Sequence, residues 1–429
     1  MKRYLKLFFG LMLLSISYQA HAQQIDTIFN KRDLDYATYI NLVGKNNIAY
    51  SAEKFNVSIA EAEIETAKIF PDPELAFGWL DNGQRRMNMG YGFNSELTWT
   101  LELGGKRKAR IDLARNEAKL TSFLLEDYFR NLRADATLAF LTGMQHRLLL
   151  DVQHNSYLQM KQLAASDSMR YKLGTISQVD ARQSKLEAGT MLNEVYAAQS
   201  DWETSLMNLS LLLGEIQTDT LVCPKGNFKG FERNFSLQQL LVEAQNNRAD
   251  LKAALQNKNV SKSTLSLAKA NRAIDLGLTL GMENVSYVRN AIAPTPSTST
   301  INAGISIPLK FSNNKPGELK AAQYGMLQTE FEYKQAELEI HTEVRQAYSG
   351  YLAAQKQVKQ FNSGLLDEAK SILDGKTYSY QRGETSLLEV LDAQRTYNEV
   401  QQNYYQVLYN HAAALVELER AAGIWDVNF

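Results

Sequence analysis

Apolar and polar residues follow one another in this chain in two rhythms, and the succession of rhythms occurs twice. Apolar positions recur every three or four residues at 33–69, every second residue at 74–103, and every three or four again at 105–165 and 175–213. The first spacing lines one face of a helix; the second lines one face of a strand. Segments 236–271, 275–311, 315–375 and 385–422 repeat this order of helix, strand hairpin, very long helix and second helix. Landmarks repeat with it. Asn46-Asn47 and Asn246-Asn247 stand early in each half, and Ala67-Lys68 and Ala268-Lys269 close the first helices. The run Tyr171 to Gly174 corresponds to Tyr380 to Gly383, and Gly214 and Gly423 end the halves. Landmarks in the same order at a spacing of roughly 200 residues point to a duplication. The chain therefore divides into 1–22, a first repeat at 23–220, a connector at 221–235 and a second repeat at 236–429. Within the connector, Cys223-Pro224-Lys225-Gly226 breaks the helical period.

A helix of about 60 residues would reach roughly 90 Å, so it needs an apolar stripe buried along its whole length. The last helix displays such a stripe. Val390, Ala393, Tyr397, Val400, Tyr404, Val407, His411, Ala414, Leu418 and Ala421 follow at alternating steps of three and four, the spacing of coiled-coil neighbours. His411 reads as a packed, hydrogen-bonded seam residue, since no second metal ligand lies at suitable spacing.

The strand rhythm is clearest from Met87 to Leu103. Tyr91, Phe93, Leu97, Trp99 and Leu101 fall on one parity, and Asn88, Gly90, Asn94, Glu96, Thr98 and Glu102 on the other. Leu75, Phe77 and Trp79 alternate in the preceding strand, as do Leu276 to Met282 and Ile301 to Phe311 in the second half. Alternation this long exceeds the roughly 9–11 residues that a tilted strand needs to cross a bilayer. Nothing else in the chain could cover four apolar strand faces. A single-chain membrane barrel starts at about eight strands, so several subunits would have to contribute; strand counting alone does not choose between two and three.

The ends and composition set the compartment. Lys2, Arg3 and Lys6 border an apolar run from Leu5 to Ile16, and Ala20-His21-Ala22 has small residues where a signal peptidase reads. Cleavage before Gln23 is expected, without lipid attachment, because no cysteine follows the run. The lone Cys223 excludes an intramolecular disulfide framework. Loss of the three basic leader residues takes the net charge from −1 to about −4, which suggests no nucleic-acid partner. Only 7 prolines in 429 residues suits long helices.

Enzyme signatures fail. Gly104-Gly105-Lys106 lacks phosphate-loop spacing, and Arg107, Lys108 and Arg110 read instead as a helix start near a membrane surface. His146 and His154 make no metal spacing, and no nucleophile motif is present. No enzyme activity, metal or cofactor is expected.

Order and residues together resemble the TolC family of outer-membrane efflux proteins over nearly the whole mature chain. LELGGKRKARI (Leu101 to Ile111) looks like the family's strand-to-helix junction, especially in the heavy-metal efflux branch of the CzcC and CusC kind, with ISIPLKFSNNK (Ile305 to Lys315) as counterpart. Pro308 matches the family's proline, whereas Thr100 stands in its place in the first half. YKLGTISQVDARQ (Tyr171 to Gln183) and YQRGETSLLEVLDAQ (Tyr380 to Gln394) look like the two periplasmic helical-hairpin tips.

The resemblance implies a mainly α fold with a β-barrel part. It implies a homotrimer whose four strands per chain form a 12-stranded barrel in outer-membrane lipid, continued by a periplasmic α-helical tunnel. Such a protein is a passive duct in a tripartite efflux system for metal ions or drugs, served by a periplasmic adaptor (membrane fusion) protein and an inner-membrane pump of the RND type. It also implies that the tips, with Tyr171, Leu173, Gly174, Tyr380 and Gly383, dock the adaptor. Glu389 and Asp392, three apart on one helix face, would form acidic rings gating the tunnel, with Asp180 as their weaker first-half counterpart. From the residues alone a solvated face is the favoured reading of the two acids; the resemblance is what favours the gate. The rival readings are a duct for type I protein secretion and a periplasmic coiled-coil scaffold without a pore.

Overall fold

The computed structural model of the protein describes residues 30–81, 85–215, 220–311 and 314–427. The leader expected at 1–22 lies outside the described residues. Strand β1 (Asn30–Asp35) leads into helices α1 (Tyr36–Asn46) and α2 (Ile48–Lys68), then the hairpin β2 (Glu74–Asp81) and β3 (Tyr91–Leu101). Helices α3 (Lys106–Lys172) and α4 (Gln178–Leu212) complete the first half. The second half holds β4 (Thr220–Lys225), α5 (Leu237–Asn247), α6 (Ala249–Ala270) and the hairpin β5 (Leu276–Val285) and β6 (Thr298–Ser306). It ends with α7 (Pro316–Phe361), α8 (Leu365–Arg382) and α9 (Leu387–Ala422).

Helix α3 has 67 residues and runs seven beyond the expected stop, giving a rod of about 100 Å. It is buried along its length against α2, α4, α6 and α9 in turn. The seam of α9 faces inward as its spacing requires, and none of its ten positions is fully exposed. A large core at mid-length gathers Tyr39, Phe140, Leu141, Leu206, Leu209, Tyr351, Leu415 and Leu418 from both halves.

Four features depart from the expected elements. The first helix of each half is broken, at Asn47 (ψ 120°) and Arg248 (ψ 124°). Asn47 stabilises its break by accepting the Tyr50 N–H and donating to the Leu212 carbonyl, both at 2.9 Å, and Arg248 donates to Ala421 O at 3.1 Å. The long helix expected at 315–375 stops at Phe361, where Asn362-Ser363-Gly364 turns the chain before α8; Ser363 Oγ donates to the Gln360 carbonyl there at 2.6 Å. Charged strand β1 pairs in parallel with β4 and brings Lys31 to Asp35 against the start of the connector. Finally, β6 ends at Ser306 and Phe311 is 91% exposed, because Pro308 has no N–H to donate to the ladder.

The remaining strands form one antiparallel sheet, ordered β2-β3-β5-β6. The β3–β5 ladder, from Gly92 opposite Val285 to Leu101 opposite Leu276, joins the halves. Register places Leu75, Leu97, Leu280 and Ala303 in one row, with Phe77, Trp79, Phe93, Trp99, Leu278 and Ile305 on the same face. Phe77 stacks on Phe93 at 6.1 Å and Trp79 on Tyr91 at 5.1 Å. The opposite face carries Asn94, Glu96, Thr98, Thr279, Glu283, Thr300 and Asn302. Both outer edges, on β2 and β6, are without a further strand among the described residues.

The GGKRKAR segment converts strand to helix. Lys106 Nζ bonds both oxygens of Asp275 at 2.6 Å, Arg107 donates to Lys68 O at 2.6 Å, and Arg110 donates to Ala67 O, Ile69 O and Glu102. Lys310 does the same for the end of α6, reaching Asn271 O and Ala273 O. Cations thus satisfy the orphan carbonyls at the C-termini of α2 and α6, where the helix dipole also favours them. The basic run therefore caps helix ends within the chain.

Gly104 has a positive φ of 72°, and a Cβ there would lie 2.1 Å from the Cβ of Ala273; at Gly105, with the same φ, nothing lies within 4 Å. Gly104→Ala should destabilise the fold by about 2–4 kcal/mol and Gly105→Ala by about 1 kcal/mol. Urea titration of the helical circular dichroism signal, comparing the two variants, checks the difference.

Candidate functional site

The two helical hairpins, α3 with α4 and α8 with α9, turn at the same end of the molecule. At the first tip, Gly174 (φ 76°) follows α3; its N–H bonds Tyr171 O at 2.9 Å, and Thr175 N bonds Arg170 O at 3.0 Å. The second tip repeats this at Gly383 (φ 79°), with bonds to Tyr380 O at 3.0 Å and from Glu384 N to Ser379 O at 2.9 Å. A left-handed residue here lets the amides close on the last helical carbonyls, and only glycine takes that conformation freely. Ser177 then caps α4 by accepting the Asp180 N–H at 3.1 Å.

Side chains at the tips divide sharply. Leu173 is 78% exposed, and Met169, Tyr171, Val179 and Leu388 also project into solvent. Tyr380 is the opposite: only 5% exposed, it packs in a small core with Met160, Ala164, Met191 and Val390. Tyr380, expected among the docking residues, joins the hairpins. Its hydroxyl donates to Asp167 Oδ1 at 3.1 Å, and the Arg170 guanidinium lies 4.8 Å from its ring and 3.7 Å from Asp167. Burial pushes the Asp167 carboxyl above its ordinary value, and burial beside Asp167 pushes the Tyr380 hydroxyl up to about 12. This bridge carried no sequence signal, because Asp167 sits in an otherwise polar stretch, Ser166-Asp167-Ser168.

Glu389 and Asp392 both lie on the exposed side of α9. They are not electrostatically equivalent. Lys376, on α8, bonds Glu389 Oε2 at 2.5 Å, and that bond holds the Glu389 carboxyl down at about 2. Asp392 has no ion-pair partner among the described residues. Asp180, the first-half counterpart, bonds Ser177 Oγ at 2.7 Å. Arg395, one turn further along α9, pairs with Glu187 of α4 at 3.1 Å and ties the hairpins again.

Among the described residues no helix is long and apolar enough to cross a membrane, and no three His, Cys, Asp or Glu side chains are grouped as metal ligands. The lipid-compatible surface is the apolar face of the sheet. The family profile described as "Outer membrane efflux protein" matches residues 240–424. The cobalt-zinc-cadmium resistance protein CzcC of Cupriavidus metallidurans is 22% identical over 90% of this chain and 88% of its own length. Outer membrane protein TolC of Vibrio cholerae is 21% identical over 100% and 98%. Residues 240–424 thus carry the outer-membrane efflux pattern, and over most of its length the chain is similar to TolC-family outer-membrane factors. Its fold is that of outer-membrane channels. The crystal structure of CusC superimposes with a TM-score of 0.73 at 18% identity, covering 91% of this chain and 92% of that one. The CmeC outer-membrane channel of Campylobacter jejuni gives 0.75 at 15% identity, covering 90% and 85%. These matches support an outer-membrane efflux channel of the TolC and CzcC type, located in the outer membrane.

Tyr380→Phe should remove the tyrosine hydroxyl from the buried Asp167 carboxyl and cost about 1–3 kcal/mol. A lower thermal transition in that variant, with Tyr171→Phe unchanged, checks this. A carboxyl held below its ordinary value keeps its stabilising pair above the unfolded value of 4.5 and loses it only as pH falls through about 2. Acidification from pH 7 to 4 should therefore not titrate Glu389. In Lys376→Met it should begin to titrate between pH 5 and 4, seen as a fall in cation permeability beyond that of the parent protein, and added Glu389→Gln should remove that excess.

Proposed function

We propose that three chains close their sheets edge to edge, β2 of one against β6 of the next, into a 12-stranded barrel that opens into a helical tunnel. The observation that carries this is the four-stranded sheet with one aromatic, apolar face, one polar face and two free edges. Backbone groups on those edges need partners in lipid, and only closure supplies them. The two halves, 23–220 and 236–429, are read as copies of one ancestral unit joined by the connector 221–235 and preceded by a cleaved leader, 1–22. The channel performs no chemistry. Cargo is delivered by an inner-membrane pump of the RND type through a periplasmic adaptor.

Docking of the adaptor falls to the exposed tip surface, with Leu173 and Tyr171 as apolar contacts and Gly174 and Gly383 keeping the turns tight. Tyr380 supports the surface from within. The acidic narrowing of the tunnel rests chiefly on Asp392, since Lys376 balances Glu389. A ring of unpaired carboxylates favours cations. Metal ions and drugs are both within the reading: relatives include a cobalt-zinc-cadmium resistance protein and a toluene efflux pump outer membrane protein. Type I protein secretion would use the same architecture, but no tip residue favours it. A scaffold without a pore has no use for the lipid-compatible face.

Purified protein in planar bilayers should conduct ions with cation preference, weakened more by Asp392→Asn than by Glu389→Gln. An oligomer that inserts without conducting would remove the channel reading. Leu173→Asp should abolish export in cells while leaving oligomer and conductance intact; retained export would place docking elsewhere.

A further inference from the structure

Midway along the molecule, far in sequence from both tips, a cavity of about 610 Å³ opens between the connector, α3, the end of α7 and α9. Its volume lies within the range of small-molecule sites. Phe228, Phe231, Met144, Leu148, Tyr404 and Tyr405 form apolar walls. The roof is fixed: the Tyr351 hydroxyl bonds the carbonyls of Phe231 and Arg233 at 2.8 and 3.2 Å and accepts the Arg233 N–H at 2.7 Å.

His411 also lines this cavity. It is 6% exposed, and its ring stacks on Tyr351 at 5.2 Å and 18°. It was expected to be hydrogen-bonded, yet its buried Nε2 has no partner among the described residues. Burial keeps the imidazole below its ordinary value, and Glu232 and Lys359 are the charged groups that act on it. A phenyl ring would fill this position without leaving a buried polar atom unpaired, so the imidazole is not what packing alone requires beside the aromatic cavity.

The rim is cationic. Arg147, Lys229 and Lys359 face a single acid, Glu232. Glu232 pairs with Lys359 at 3.4 Å, and Arg147 pairs with Asp151 at 3.4 Å, while Lys229 has no ion-pair partner among the described residues. Aromatic walls, a buried imidazole and a free rim ammonium select a particular ligand. We propose that this cavity binds an amphipathic organic anion, its aromatic or acyl body between Phe228 and Tyr404 and its acidic head at Lys229. The site stands on cavity geometry and does not depend on the tip or pore assignments.

The probe is 1-anilinonaphthalene-8-sulfonate, titrated against the assembled protein in lipid nanodiscs with empty nanodiscs subtracted. The expected result is saturable binding of one probe per chain. Leu148→Trp, which fills the cavity, should abolish it. Lys229→Glu, at an exposed position that cannot unfold the core, should weaken it severalfold, as should His411→Phe. The neutral analogue N-phenyl-1-naphthylamine should bind more weakly. Unsaturable binding, equal binding in wild type and Lys229→Glu, or equal binding of the neutral analogue would overturn the proposal.

Discussion

Backbone hydrogen bonding in lipid is the constraint on which this structure turns. A peptide group in hydrocarbon has no water to bond, so every strand must be paired on both sides. Among the described residues the larger sheet has four strands and two free edges. Its exposed aromatic face, with Trp79 67% exposed, would be a severe liability on a soluble protein. Both features are resolved at once if neighbouring chains continue the sheet and lipid covers the face. A barrel shared among subunits then brings the helices of each chain around a common axis.

The sheet cannot act alone, because its strands must pass into helices of 67 and 46 residues, about 100 and 70 Å long. Arg107, Arg110 and Lys310 manage that passage by bonding the carbonyls where α2 and α6 end, and Lys106 locks onto Asp275 across the halves. At the far end the same logic recurs with different chemistry. Tyr380, Asp167 and Arg170 join one hairpin to the other, and Arg395 with Glu187 adds a second tie. Charge at the tip is therefore partly spent within the chain, leaving Asp392 as the acid with field to spare.

Much of this was legible in the sequence where periodicity was long. Strand β3 alternates through its 11 residues with Ser95 the one polar residue on the apolar side, and the α9 seam keeps its steps over ten positions, so neither could be read otherwise. The YxxG pairs marked both tips because a left-handed residue demands glycine. Short or charged elements were not legible. Strand β1, NKRDLD, exists through its parallel ladder to β4, a pairing nearly two hundred residues apart. The breaks at Asn47 and Arg248 depend on distant carbonyls, Leu212 O and Ala421 O, that no local pattern announces. Asn362-Ser363-Gly364 is the exception: a polar triplet ending in glycine, outweighed by the helical period on either side. Tyr380 and His411 show the same limit for side chains, since burial and pairing are decided by what packs across from them.

The edge closure is best tested by disulfide scanning. One cysteine on β2, at Ala76, is combined in turn with single cysteines along β6 from Ser299 to Ile305, in protein whose own Cys223 is buried. Strand neighbours bring facing Cα atoms within the roughly 4.4–6.8 Å that a disulfide spans. The account predicts that a restricted set of β6 positions yields covalent trimers on oxidation, falling on one parity of the strand. Absence of intersubunit crosslinks at every position, in protein that still assembles, would contradict it.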